Sequence, residues 1–184
     1  MNAIAVFENH QAITGFVKFH QPRKNSPLQI EFNLKGLTKV CAVHIHEYGD
    51  VSNGCMSLGG HFNPTKKKHG QHAGDIIFNA FPDKNGHFKT TFSSKELSLI
   101  PGDSLNIIGR SVVIHNFEDD YGKFGRIIDE KFVLYDNMSV DELRYFSKMS
   151  GYSCKDMKKQ LNQGSASTGN AGSRLACAII GLSS

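Results

Sequence analysis

Leu28 to Leu34 alternates apolar and polar residues without a break, Ile13 to Phe19 follows the same period more loosely, and Ala3 to Phe7 is a further apolar run of strand length. A period of two puts one apolar face on a half-buried strand and does not suit a helix. Turn-forming residues separate the runs, Asn9-His10 in the first gap and Gln21-Pro22-Arg23-Lys24-Asn25 in the second. Val40 to His46 is a further apolar run. Asp75 to Phe81 and His87 to Thr91 are joined by the hairpin-turn signal Pro82-Asp83-Lys84-Asn85-Gly86. Leu105 to Ile108, Ser111 to His115 and Ala176 to Gly181 complete the set of expected strands. Many short strands at regular spacing predict an all-β sandwich or barrel. At 184 residues the chain suits a single domain covering residues 1–184.

One segment breaks the period. Ser139-Val140-Asp141-Glu142 has the form of a helix capping box, and Leu143, Phe146 and Met149 follow at helical spacing before Gly151. Ser153 can cap a second short helix through Met157 and Leu161, closed by Gly164. A helical hairpin over Asp136 to Gln163 is therefore expected within the β framework. Its apolar residues are expected to pack against the barrel.

The chemistry is carried by histidine. His44-Ile45-His46 sets two imidazoles on one face of a strand, where both can reach a single ion. His61, His69, His72 and Asp75 crowd the irregular stretch from Gly49 to Gly74 and its end, with His69, His72 and Asp75 three apart. Three imidazoles and a carboxylate suit tetrahedral zinc. His115 ends a separate apolar strand and can add a nitrogen from across the sheet. An H-x-H pair or a strand-end histidine alone is weak evidence, since such matches arise by accident. Together the six histidines and the aspartate supply ligands for two ions. His10, His20 and His87 lack such company and read as surface residues.

The net charge of +4 is modest, and the basic cluster Lys66-Lys67-Lys68 has no interleaved aromatics. Single-strand nucleic acid is thereby disfavoured as a partner. No window approaches the length of a membrane span, and the first residues lack the form of a signal peptide. A soluble, cytoplasmic protein is expected. In that setting the four cysteines, Cys41, Cys55, Cys154 and Cys177, are thiols by default.

These residues resemble the copper/zinc superoxide dismutase family. His44-Ile45-His46-Glu47-Tyr48-Gly49-Asp50 is similar to its copper-binding strand. Gly54-Cys55 and His61-Phe62-Asn63-Pro64 are similar to its disulfide and bridging-histidine segments, and Gly169-Asn170-Ala171-Gly172-Ser173-Arg174-Leu175-Ala176-Cys177 to its C-terminal signature. The resemblance runs from about Ala3 to Gly122 and again from Gly169 to Gly181. It implies an eight-stranded Greek-key β-barrel, usually homodimeric. His44, His46, His61 and His115 would bind copper, and His61, His69, His72 and Asp75 would bind zinc, with His61 bridging the ions. Asp119 would hydrogen-bond His46 and His69. Cys55 and Cys177 would form an intrachain disulfide, leaving Cys41 and Cys154 free, and Arg174 would dock superoxide beside copper.

The sequence departs from the family in two places. Only Gly70 and Gln71 stand between His69 and His72, and the helical hairpin occupies the stretch Lys123 to Thr168 that is brief in the family. No guiding charges can be carried over onto it. Two other functions compete: a metal-sequestering relative without catalysis, and a copper-transfer module. The first would be expected to have lost copper ligands or the arginine, and the second to show exposed Cys-x-Cys or Met-rich ligands.

Overall fold

A computed structural model describes residues 1–8, 12–128, 131–135, 138–150 and 153–184, with backbone alone at 78, 126–128, 131–133, 146, 149, 150, 154 and 155. His10 lies outside the described residues, as does the side chain of Cys154.

Strands β1 (Asn2–Phe7), β2 (Thr14–His20), β3 (Leu28–Lys35) and β4 (Cys41–His46) follow in order, then the short β5 (Ser52–Cys55). Strands β6 (Ile77–Ala80), β7 (Phe88–Ser94) and β8 (Ser111–His115) come next, and β9 (Gly125–Ile128) pairs with β10 (Lys131–Leu134). Helices α1 (Val140–Ser150) and α2 (Cys154–Thr168) precede β11 (Arg174–Ile179) and β12 (Gly181–Ser183).

The strands form two main antiparallel sheets, ordered β12-β1-β2-β3-β7 and β11-β8-β4-β6. β3 pairs with β7 rather than with β4, and β4 pairs with β8, so the chain crosses between sheets in Greek-key fashion. Beyond Ile180 the last strand changes sheets, with β11 on β8 and β12 on β1. Without β12, the two main sheets hold the expected eight strands.

Alternation decides what each face does. In β3, Leu28, Ile30, Phe32 and Leu34 are buried while Gln29 and Glu31 are exposed. They meet Val43 and Ile45 of β4 and Val112 and Ile114 of β8 in one core. Every residue of β4 and β8 is nevertheless buried. Their second face carries His44, His46, Val113 and His115, and the long loops cover it.

Several sequence expectations change. Leu105 to Ile108 is not a strand. Asp103 Oδ1 accepts from Leu105 N at 2.9 Å and Asn106 Oδ1 from Ile108 N at 3.0 Å, so side chains hold it in turns. β6 starts at Ile77 rather than Asp75, whose carboxylate is drawn into the preceding loop by Gly70 N and His72 N. The capping box at Ser139 forms, with Glu142 Oε2 accepting from Ser139 N and Ser139 Oγ from Glu142 N. α2 does not stop at Gly164 but runs to Thr168 and caps on Gly169 at φ 64°. Gly164 is needed for space instead, because a Cβ there would fall onto Asn170 Oδ1. Finally, Leu143 and Leu161 do not join the barrel core. They pack with Tyr135, Met138 and Met157 in a separate cluster, while the side chains of Phe146 and Met149 lie outside the described residues.

Candidate metal centre

Period two sends His44 and His46 to the covered face of β4, and β8 delivers His115 to the same face. The long loop after β4 returns through an isolated bridge between His46 and His61, which sets His61 against the sheet. The His61 ring lies 4.0 Å from His44 and 5.1 Å from His46, and 5.3 Å from His69 and 5.6 Å from His72, centroid to centroid. Two ligand groups result: His44, His46, His61 and His115, and His61, His69, His72 and Asp75. The candidate donor atoms in each lie within 4.8 Å of one another. His61 belongs to both. Despite the short spacer, His72 Nδ1 reaches 3.2 Å from Asp75 Oδ1.

The hydrogen bonds assign the tautomers. His46 Nδ1 faces Gly59 O at 3.0 Å and His115 Nδ1 faces Gly172 O at 3.3 Å. A carbonyl only accepts, so both Nδ1 atoms carry hydrogen and both Nε2 atoms present lone pairs. Those Nε2 atoms face each other at 3.2 Å. Burial and then the neighbouring His61 lower both pKa values, to about 2 for His46 and about 4 for His115, so both rings are neutral at neutral pH and keep their Nε2 lone pairs. Two lone pairs at that separation call for a cation. His44 Nδ1 and His61 Nε2 are likewise buried without a hydrogen-bond partner. The first group thus offers four imidazole nitrogens, as copper favours, and the second offers three imidazoles and a carboxylate, as zinc favours. Burial alone would raise the Asp75 pKa, yet hydrogen bonding from His61 and His72 holds it well below the usual carboxylate range.

Asp119 ties the groups together. His44 Nε2 donates to its Oδ2 at 2.8 Å and His69 Nε2 to its Oδ1 at 2.9 Å. The copper-side partner is therefore His44, not His46, because His46 turns its far nitrogen to Gly59. Burial would lower the His69 pKa, but the hydrogen bond to Asp119 and the charges of Asp119, Asp75 and Asp120 together outweigh it and the pKa rises. Cys55 and Cys177 are disulfide-bonded, and Cys41 is a buried free thiol.

Arg174 pairs with His115 across β11 and β8, with a register shift just after it. Its Nη1 donates to Cys55 O and Met56 O, and its Nη2 to Gly59 O. The guanidinium is held by carbonyl oxygens, and no carboxylate among the described residues forms an ion pair with it.

The sequence reading missed several supports. Gly59 and Gly172 orient His46 and His115 through their carbonyls, and no side-chain signal marks that role. It also missed a buried polar knot in which Tyr135 Oη donates to Asp120 Oδ2 at 2.5 Å and Ser165 Oγ to Asp120 Oδ1 at 2.9 Å.

Two antiparallel sheets in Greek-key order with a double histidine cluster on one covered face define a two-metal β-barrel protein. The model of copper/zinc superoxide dismutase matches residues 13–137. Proteins named Superoxide dismutase [Cu-Zn] from Saccharomyces cerevisiae and Schizosaccharomyces pombe are 34% and 35% identical to the chain, each alignment covering 99% of it and 98% of the relative. A crystal structure of the clock protein EA4 superposes with a TM-score of 0.71 at 31% identity, covering 99% of this chain and 94% of that one. The chain belongs to the copper/zinc superoxide dismutase family.

Proposed function

We propose that the chain is a superoxide dismutase, converting superoxide to oxygen and hydrogen peroxide. The observation that carries this reading is the shared His61 between two buried ligand groups, with the uncompensated guanidinium of Arg174 alongside. His44, His46, His61 and His115 would hold copper, and His61, His69, His72 and Asp75 would hold zinc. Copper supplies one-electron redox chemistry, while zinc supplies fixed charge without redox.

The remaining work belongs to the chain. Arg174, held in place by three carbonyls, docks a small anion with little reorganisation. Gly59 and Gly172 keep the Nε2 atoms of His46 and His115 turned inward, and Asp119 does the same for Nδ1 of His44 and His69. His61 turns Nδ1 toward Asp75 and the zinc group, which leaves its buried Nε2, on the copper side, as the atom that can carry a proton. The disulfide anchors the carbonyls that hold Arg174, because Cys55 supplies one of them.

The complete ligand set and Arg174 favour an enzyme over a sequestering relative. The chain would work as a single cytoplasmic domain and as a homodimer. No helix among the described residues is long and apolar enough to cross a membrane. Exposed Val51, and Ile179 beside Gly49, offer apolar surface for a second copy. Light scattering at micromolar concentration tests the dimer.

The test of function is the dismutation rate of protein loaded with copper and zinc, measured over a series of salt concentrations. Fast turnover that falls with salt supports an enzyme whose positive site steers its anion, a behaviour for which this family is a standing example. Negligible turnover at full copper occupancy would overturn the reading.

A further inference from the structure

Asp119 and Asp120 are adjacent, buried and committed to opposite partners. Asp119 faces the metal centre, where its Oδ1 takes a hydrogen bond from His69 and a second from Tyr121 N at 2.6 Å. Asp120 faces the helical excursion. Its Oδ2 accepts from Tyr135 Oη at 2.5 Å and Asn170 Nδ2 at 3.0 Å. Its Oδ1 accepts from Ser165 Oγ and from Gly122 N, both at 2.9 Å. Tyr135 and Ser165 come from the excursion, and both are fully buried.

The backbone closes the arrangement. Asp120 N donates to Gly169 O at 2.9 Å, at the C-cap of α2. A Cβ on Gly169 would fall onto Asp119 Oδ1, and it would approach His69 Nε2 to 2.5 Å. The end of α2 is thus seated directly on the hydrogen bond that orients a zinc-side ring. With both oxygens and the N–H of Asp120 fixed, the peptide before it has little freedom, and the carboxylate of Asp119 is aimed by its neighbour.

We infer that Asp120, clamped by Tyr135 and Ser165, is a positioning residue of the metal centre, so that the α1–α2 excursion braces the rings of His44 and His69 through Asp119. The inference rests on the reading of His61, His69, His72 and Asp75 as the zinc group. It assigns the excursion a role that an extra surface lobe would not have. Partners that orient metal ligands typically change metal affinity by about 10–100-fold when lost. Tyr135 and Ser165 act one bond further out, and the lower end of that range is expected for them.

The test uses Tyr135→Phe and Ser165→Ala in the full chain. Each removes one hydroxyl, and the phenyl ring keeps its place in the apolar cluster. Zinc affinity is measured by competition with a chelator, and the zinc group is loaded with Co(II) so that its visible absorption reports ligand geometry. The expected result is about tenfold weaker zinc binding in each variant, with a Co(II) band displaced from that of the wild type. Asp119→Asn should displace the band in the same way and weaken zinc binding more. Variants that melt lower without metal yet keep wild-type zinc affinity and the wild-type band would overturn the inference, because a purely structural role predicts that outcome. Should Tyr135→Phe not fold, Ser165→Ala carries the test through the other oxygen of Asp120. A wild-type protein that takes up neither zinc nor Co(II) would instead overturn the zinc assignment itself.

Discussion

Phe32 in β3 and Tyr135 before α1 are both fully buried, but in different company. Phe32 stacks on Phe92 with centroids 6.0 Å apart and meets Phe88 edge-on at 5.8 Å, within a core built from both sheets. Among the described residues, Tyr135 sits with four other buried apolar side chains, and its hydroxyl enters the Asp120 knot. The barrel is held by apolar area that alternation supplies in quantity. The excursion adds a hydrogen-bonded carboxylate shared among elements distant in sequence. Buried polar groups are costly when unpaired and specific when satisfied. The barrel thus rests on apolar contact between its sheets, whereas the excursion also rests on the polar atoms around Asp120.

The largest expected effect lies where the two ways of holding the chain meet. The Cys55–Cys177 disulfide closes a loop with a sequence separation of 122, which holds β6, β7, β8 and the start of β11 together with all of the excursion. On the chain-entropy account, loops of this length give about 4–5 kcal/mol. Replacing both cysteines with serine should lower the unfolding free energy by that order in chemical denaturation. It should also loosen Arg174, which bonds Cys55 O, and slow dismutation at equal copper content. A variant that loses stability but keeps full activity would mean that the disulfide does not position the arginine.

Core truncation sharpens the contrast. Phe32→Ala should cost about 3–5 kcal/mol, and Leu143→Ala in the excursion about 2–3 kcal/mol because a small cluster relaxes more easily. Denaturant unfolding of the two variants checks this. Equal losses would show that the cluster around Tyr135 is packed as firmly as the barrel core.

Next is the carboxylate that joins the regions. Asp119→Asn keeps the shape but can no longer accept from His44 and His69 through two equivalent oxygens. Zinc affinity should fall about 10–100-fold, with no ligand removed. Chelator competition measures it. Unchanged affinity would leave the rings oriented by the sheet alone.

The sequence made the barrel legible because period two records which face is buried, as in Leu28 to Leu34. It made the ligand groups legible for the same reason, since His44 and His46 share a face and His69, His72 and Asp75 share a loop. It could not show which ring faces Asp119, because that depends on Gly59 taking the far nitrogen of His46. Helical periodicity marked an apolar side on α1 and α2, but it does not say what covers that side. For Leu143 and Leu161 the covering is Tyr135, Met138 and Met157 rather than the barrel core. The Asp120 knot was hidden because its members stand 15 and 45 residues apart from it in the chain. Gly164 looked like a helix stop because glycine commonly is one. It is a contact point for Asn170, and only the packing reveals that.

The smallest effect tests whether the two regions unfold as one. Ser139 caps α1 through the Glu142 amide, and it is exposed, so Ser139→Ala removes a cap without opening a cavity. Losing such a cap costs about 1 kcal/mol. If the excursion is a unit of its own, the loss is confined to it. Amide exchange in α1 should then quicken about fivefold, in line with that free energy, while amides of β3 and β4 keep their protection. Equal loss of protection in both regions would mean that the excursion opens only when the barrel does. The knot at Asp120 would then couple the helices to the β core as tightly as it couples them to the metal centre.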